Sequence, residues 1–118
     1  EVEAREGHYM SALHYAGALG QLVCARELLS AGADKDARDD LQQTPLHLAA
    51  QSGRCGTTKE LLRWGADRNA LNKARSTPLH YACSEGRAAC VRELLEGEAD
   101  SNAVDSEGMR PLHVAAAS

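Results

Sequence analysis

Thr44-Pro45-Leu46-His47-Leu48-Ala49-Ala50 decides how this chain is read, because its first four residues return in near-copy at a fixed interval. Ser11-Ala12-Leu13-His14, Thr77-Pro78-Leu79-His80 and Arg110-Pro111-Leu112-His113 complete the series, so the phrase begins at 11, 44, 77 and 110. A constant spacing of 33 residues marks a stacked repeat protein. Working outward, Thr44 suits a helix N-cap, Pro45 the first helical position, and Leu46, Ala49 and Ala50 recur at helical spacing. Gly53 then ends a short helix. A second helix is predicted through Thr57, Thr58, Leu61 and Leu62, stopping at Gly65. Ala66-Asp67-Arg68-Asn69-Ala70 has no helical period and leads through Asn72, Lys73 and Arg75 into the next Thr-Pro. Each unit therefore reads as helix, turn, helix, extended loop.

The other units match slot for slot. Gly20, Gly53 and Gly86 share the first turn, and Leu28-Leu29, Leu61-Leu62 and Leu94-Leu95 share one place on the second helix. Ala33-Asp34, Ala66-Asp67 and Ala99-Asp100 align in the loop. A helix this short is unstable alone in water, so its apolar stripe must be covered by the next copy. At 118 residues the chain is expected to be a single domain, with a flank at 1–10, repeats at 11–43, 44–76 and 77–109, and a partial repeat at 110–118.

Composition narrows the function. With no Phe, one Trp and three Tyr in a chain that is 43% hydrophobic, Ala and Leu must fill the core, which suits thin helical layers. A net charge of −4 argues against a nucleic-acid partner, which would require a concentrated basic face. No apolar run approaches the ~18 residues needed to cross a bilayer, so no membrane insertion is expected. The chain opens on Glu1 rather than Met, and the expectation is a piece of a longer protein. Cys24, Cys55, Cys83 and Cys90 form no CxxC pair and are expected to be reduced, partly buried small hydrophobes in an intracellular protein, cytoplasmic or nuclear.

The pattern T-P-L-H-x-A-A, then G, then L-L-x-x-G-A-D-x-N-A, nearly intact in the second unit, resembles the ankyrin repeat family over residues 11–118. The resemblance implies an all-α solenoid: stacked antiparallel helix pairs with projecting β-hairpin-like loops, used for binding proteins and without catalytic activity. Set against it, Thr57-Thr58 after Gly56 replace apolar residues, which predicts a weak start to that helix. Glu98 takes the slot of Gly32 and Gly65 while Gly97 stands one residue earlier, which predicts a left-handed cap shifted by one position. The chain also stops inside the fourth unit's first helix, which would leave Leu112, Val114 and Ala115 uncovered unless the protein continues.

Four histidines, His14, His47, His80 and His113, share one slot. Successive layers lie about 8–10 Å apart, whereas a shared zinc needs every nitrogen within about 2.1 Å. A structural role is expected, the ring bonding the Thr hydroxyl and the backbone of adjoining loops. No metal, cofactor or catalytic residue is expected, because no nucleophile motif, phosphate-cradling loop or carboxylate pair is present. Asp34, Asp67 and Asp100 suit tight turns, and Glu27, Glu60 and Glu93 read as a solvated outer face of the second helices. Trp64 reads equally as packing under its own loop or as a contact for a partner.

Positions that differ between copies are those the shared scaffold does not dictate. They fall on the first helices (Tyr15 and Leu19; Gln51 and Ser52; Tyr81, Ser84 and Glu85) and on the loop tips (Asp39, Asp40 and Gln43; Lys73 and Arg75; Glu107 and Met109). The tips run acidic, basic, acidic along the stack. By the family resemblance these regions line a concave groove, and a partner protein or peptide is expected there. The alternative is an intramolecular regulatory or spacer segment of a larger enzyme or channel. By resemblance alone, Asn69 and Asn102 match ankyrin asparagines that an oxygen-dependent hydroxylase modifies.

Overall fold

A computed structural model describes residues 5–6 and 10–111. It opens with a two-residue antiparallel pairing of β1 (Arg5–Glu6) with β2 (Met10–Ser11), in which Arg5 faces Ser11 and Glu6 faces Met10. Helices follow in pairs: α1 (Ala12–Leu19) with α2 (Leu22–Ser30), α3 (Pro45–Gln51) with α4 (Cys55–Arg63), and α5 (Pro78–Ser84) with α6 (Ala88–Glu96). The first helices stack α1 on α3 on α5, and the second helices stack α2 on α4 on α6. This is the stacked repeat that the spacing predicts and the all-α solenoid that the resemblance implies.

The first helices start alike because Ser11, Thr44 and Thr77 each accept a backbone hydrogen bond from the histidine three residues on, whose ring reaches back to the cap's own N–H. They end alike because Gly20, Gly53 and Gly86 turn left-handed, with φ of 70°, 73° and 67°. Gly53 is doubly required: the Arg87 side chain lies across it, and an added Cβ would come within 2.9 Å of that chain. The interior is a column of Leu13, Leu46 and Leu79 between the first helices, joined by Leu29, Leu61 and Leu94 from the second. Ala16, Ala49 and Ala82 lie fully buried beside them, where small side chains let successive layers approach closely.

Two departures from the sequence reading have physical causes. The left-handed cap after α6 does not shift: Glu98 itself adopts φ 67°, beside Gly32 at 98° and Gly65 at 89° in the same slot, while Gly97 stays at −81°. The N–H groups of Glu98 and Ala99 bond Leu95 and Leu94 there, which holds the turn where the repeat puts it. The start of α4 has no side-chain cap, as α2 and α6 also lack one, so all three second helices begin without one. Thr57 and Thr58 are nevertheless completely buried, occupying core slots.

Candidate functional site

The histidines build the frame on which any site must rest. Each Nδ1 accepts a backbone N–H, from Ser11, Thr44 or Thr77 at 3.1 Å, so the ring proton lies on Nε2. Each Nε2–H then donates at 2.8 Å to a carbonyl 29 residues ahead: His14 to Gln43, His47 to Ser76, His80 to Met109. Every first helix thus holds the tip of the following loop. Burial pushes the His47 pKa down to about 4, because the ring is shielded from the water that would solvate its charge, and the Arg38 guanidinium lowers it further. His113 lies outside the described residues, as do Leu112, Val114 and Ala115.

At the tips, Asp39, Asn72 and Asp105 occupy one slot and do one task. Asp39 Oδ1 accepts from the N–H groups of Leu41 and Gln43, Asn72 Oδ1 from Ala74 and Ser76, and Asp105 Oδ1 from Glu107 and Met109. Three residues on, Gln42, Arg75 and Gly108 turn left-handed, with φ of 63°, 59° and 75°. Neighbouring tips are laced by backbone bonds, Lys73 N–H to Leu41 O at 3.0 Å and Ser106 N–H to Ala74 O at 2.9 Å. The three loops form one connected row.

This construction sorts the residues that vary between copies. Asp39 and Gln43 are buried, the first consumed by the turn, so neither side chain stands on the open surface. Asp40, Gln51, Ser52, Ser84 and Met109 are half-buried. Tyr81 is half-buried and pinned, its ring edge-on to His47 at 5.8 Å and its hydroxyl accepting from Asn72 Nδ2. Its phenol pKa is raised, mainly by burial. Lys73, Arg75, Glu85 and Glu107 are exposed. So are Tyr15 (44%) and Leu19 (57%), one helical turn apart on α1.

The second helices correct one expectation. Glu60 is not solvated: only 7% of it is exposed, and it is the centre of a small network. Trp64 Nε1–H donates to its Oε2 at 3.0 Å, Arg26 of the preceding repeat approaches Oε1 at 3.4 Å, and Arg63 lies 4.0 Å from the same oxygen. These donors, Arg26 first and Trp64 second, hold the Glu60 carboxyl below its ordinary pKa. Trp64 itself remains 41% exposed, with its indole N–H held by Glu60 of its own helix. The aligned Glu27 is exposed as expected, and the repeat spacing alone cannot tell the two apart because Trp64 has no counterpart among Ala31 and Gly97.

Asp34, Asp67 and Asp100 cap their turns as read, each accepting the N–H two residues on. Asn69 and Asn102 are exposed, and Asn69 Oδ1 accepts the Asp100 N–H at 2.7 Å. The four cysteines are free thiols ranging from exposed Cys24 to buried Cys90. Among the described residues no group of three or more His, Cys, Asp or Glu could hold a metal ion, and no helix is long and apolar enough to cross a membrane.

Comparison with known proteins agrees with this geometry. No curated protein matches the chain. A family model described as ankyrin repeats (3 copies) matches residues 2–72 and again 46–118, together nearly the whole sequence. A helix pair per unit, a histidine in each cap and a laced row of loops therefore carry the name of a family generally made of non-catalytic protein–protein interaction modules: the chain belongs to the ankyrin repeat family.

Proposed function

We propose that this chain binds a partner protein or peptide across its loop tips and first-helix faces, by contacts rather than by chemistry. The observation that carries this reading is a division of labour. The recurring polar residues of cap and turn are consumed by internal hydrogen bonds, whereas Tyr15, Leu19, Lys73, Arg75, Glu85 and Glu107 vary between copies and stand exposed. Tyr15 and Leu19 supply an apolar anchor at one end, and Lys73 with Arg75 a basic centre between acidic flanks, the mixture that interfaces use for anchoring and for register. Asp39 and Gln43 act in this scheme by shaping the tip, and Tyr81 by presenting a ring already fixed in place.

The test uses peptides selected from a random library on the wild-type protein. Reversing Lys73 and Arg75 to Glu should abolish capture of those peptides that compete with one another, with the melting temperature unchanged. Both side chains are exposed, and Arg75 keeps its left-handed backbone with Glu as with Arg. Capture that survives the reversal would place the binding surface elsewhere.

A further inference from the structure

Cys55 and Cys90 belong to different helices, α4 and α6, and to different slots of the repeat, yet their sulfurs lie 3.5 Å apart. A disulfide requires about 2.05 Å between sulfurs, so closure needs a movement of about 1.5 Å, within reach of side-chain rotation and slight helix adjustment. We propose that these two thiols form an oxidation site that takes a peroxide as co-substrate and closes to a disulfide stapling the second repeat to the third.

Access sets the order of events. Cys55 is half-exposed in the first turn of α4, whereas Cys90 is fully buried. Burial, with the Cys55 thiol beside it, pushes the Cys90 pKa up to about 11, so Cys90 is protonated and shielded while Cys55 meets solvent. Cys55 sulfur attacks the peroxide, the O–O bond breaks, and a sulfenic acid forms as the first water leaves. Cys90 sulfur then gives up its proton and attacks Cys55 sulfur, the S–O bond breaks, and the second water leaves. Two thiols lose two electrons in total, and one hydrogen peroxide becomes two waters.

The local fold permits the motion. The first turn of α4 has no side-chain cap, and its second residue is Gly56, a substitution that costs about 1 kcal/mol relative to Ala in a helix. That turn opens more readily than the middle of a helix, which brings Cys55 toward Cys90 and admits the oxidant. The pair lies on the second helices, so its chemistry is separable from the loop-tip surface proposed for partner binding. Cys24 is exposed but its slot-mate in the adjoining repeat is Thr57, so it has no equivalent sulfur next to it.

The experiment treats the folded protein with hydrogen peroxide, then denatures it, alkylates the remaining thiols and maps peptides without reduction. The expected result is a mass lower by about 2 Da before alkylation, a Cys55–Cys90 linked peptide, and alkylation confined to Cys24 and Cys83. The oxidised protein should melt higher than the reduced one, and dithiothreitol should reverse both changes. Cys55→Ser, at a half-exposed position, should fold and leave Cys90 alkylatable after the same treatment. Cys24→Ser should still close the bridge, which separates it from any intermolecular link. Recovery of all four alkylated cysteines would overturn the proposal. So would Cys55 as a sulfinic acid beside a free Cys90, or a Cys90 link that persists in Cys55→Ser.

Discussion

Replacing Thr57 with Val should make this protein more stable, although threonine caps elsewhere in the same chain are indispensable. Thr57 is 1% exposed, and its hydroxyl has no hydrogen-bond partner among the described residues. Leaving a buried hydroxyl unpaired costs about 1–3 kcal/mol, and the methyl that replaces it adds roughly 0.8 kcal/mol of apolar burial. Fitting a slightly larger group into a packed layer takes back up to about 1 kcal/mol. The net gain is about 1–4 kcal/mol, or roughly 4–20 °C in melting temperature for a domain of this size. Thr77→Val is the matched control: its hydroxyl caps α5 and meets the His80 ring at 2.9 Å, so the same chemical change should cost about 1–2 kcal/mol. Thr58→Val should fall between them, because its hydroxyl has only the Cys90 sulfur at 3.9 Å. Urea unfolding followed by circular dichroism gives the three values side by side. If Thr57→Val were destabilised like Thr77→Val with an unchanged m-value, the hydroxyl would hold a partner after all, and the account of α4 would be wrong.

Stability should also depend on pH through His47. Its folded pKa of about 4 lies below the unfolded value of 6.5, so the unfolded chain binds more protons between those limits. Unfolding free energy should therefore fall as the solution is acidified from pH 7 toward 4, by on the order of 3 kcal/mol in full; His47→Gln, weaker at neutral pH, should show a flatter profile in the same urea titration. Glu98→Gly should stabilise by about 0.5–1 kcal/mol, since glycine adopts the left-handed cap at φ 67° without steric cost; no gain in melting temperature would mean the cap is unstrained. Glu60→Ala should cost about 1–3 kcal/mol by leaving the Trp64 indole and Arg26 without their acceptor. Glu60→Gln should cost less, and because Trp64 is the sole tryptophan, its fluorescence should change in the first variant more than in the second.

The stack was legible because the residues that set it are tied to short local chemistry. Thr44, Pro45 and His47 specify a helix start within four residues, and the near-copies beginning at Ser11 and Thr77 carry that start through the chain. The loop tips were harder, because identity and role came apart. Asp39 and Asn72 look like a change of charge between copies, but both offer one Oδ1 to the same two N–H groups, so the difference is a synonym. Gln43 varies too, yet what the histidine uses is its backbone carbonyl. Glu60 escapes a reading by slot for the opposite reason: it sits in a shared slot, but its surroundings are peculiar to one repeat, Trp64 above all. Cys55 and Cys90 meet through packing between non-equivalent slots, which no alignment of the units brings side by side.

The bonds that cross from one repeat to the next span 29 residues at the histidines, 32 at the tip lacing (73 against 41), 31 at Asp36 and 36 at Arg54. All are close to one period, so their reach along the chain is fixed by the unit and not by how many units follow. A whole extra unit spliced between two others would find the histidine and loop-tip partners already waiting, and the mean sequence separation of contacts would hold steady as the array lengthened. Folding speed, which slows as that separation grows, should then be nearly independent of array size. One residue inserted between His47 and Ser76 instead puts the ring and its carbonyl out of step at once. The molecule is thus tolerant of insertions of 33 and intolerant of insertions of one, a granularity written into it by a single 2.8 Å bond repeated along the stack.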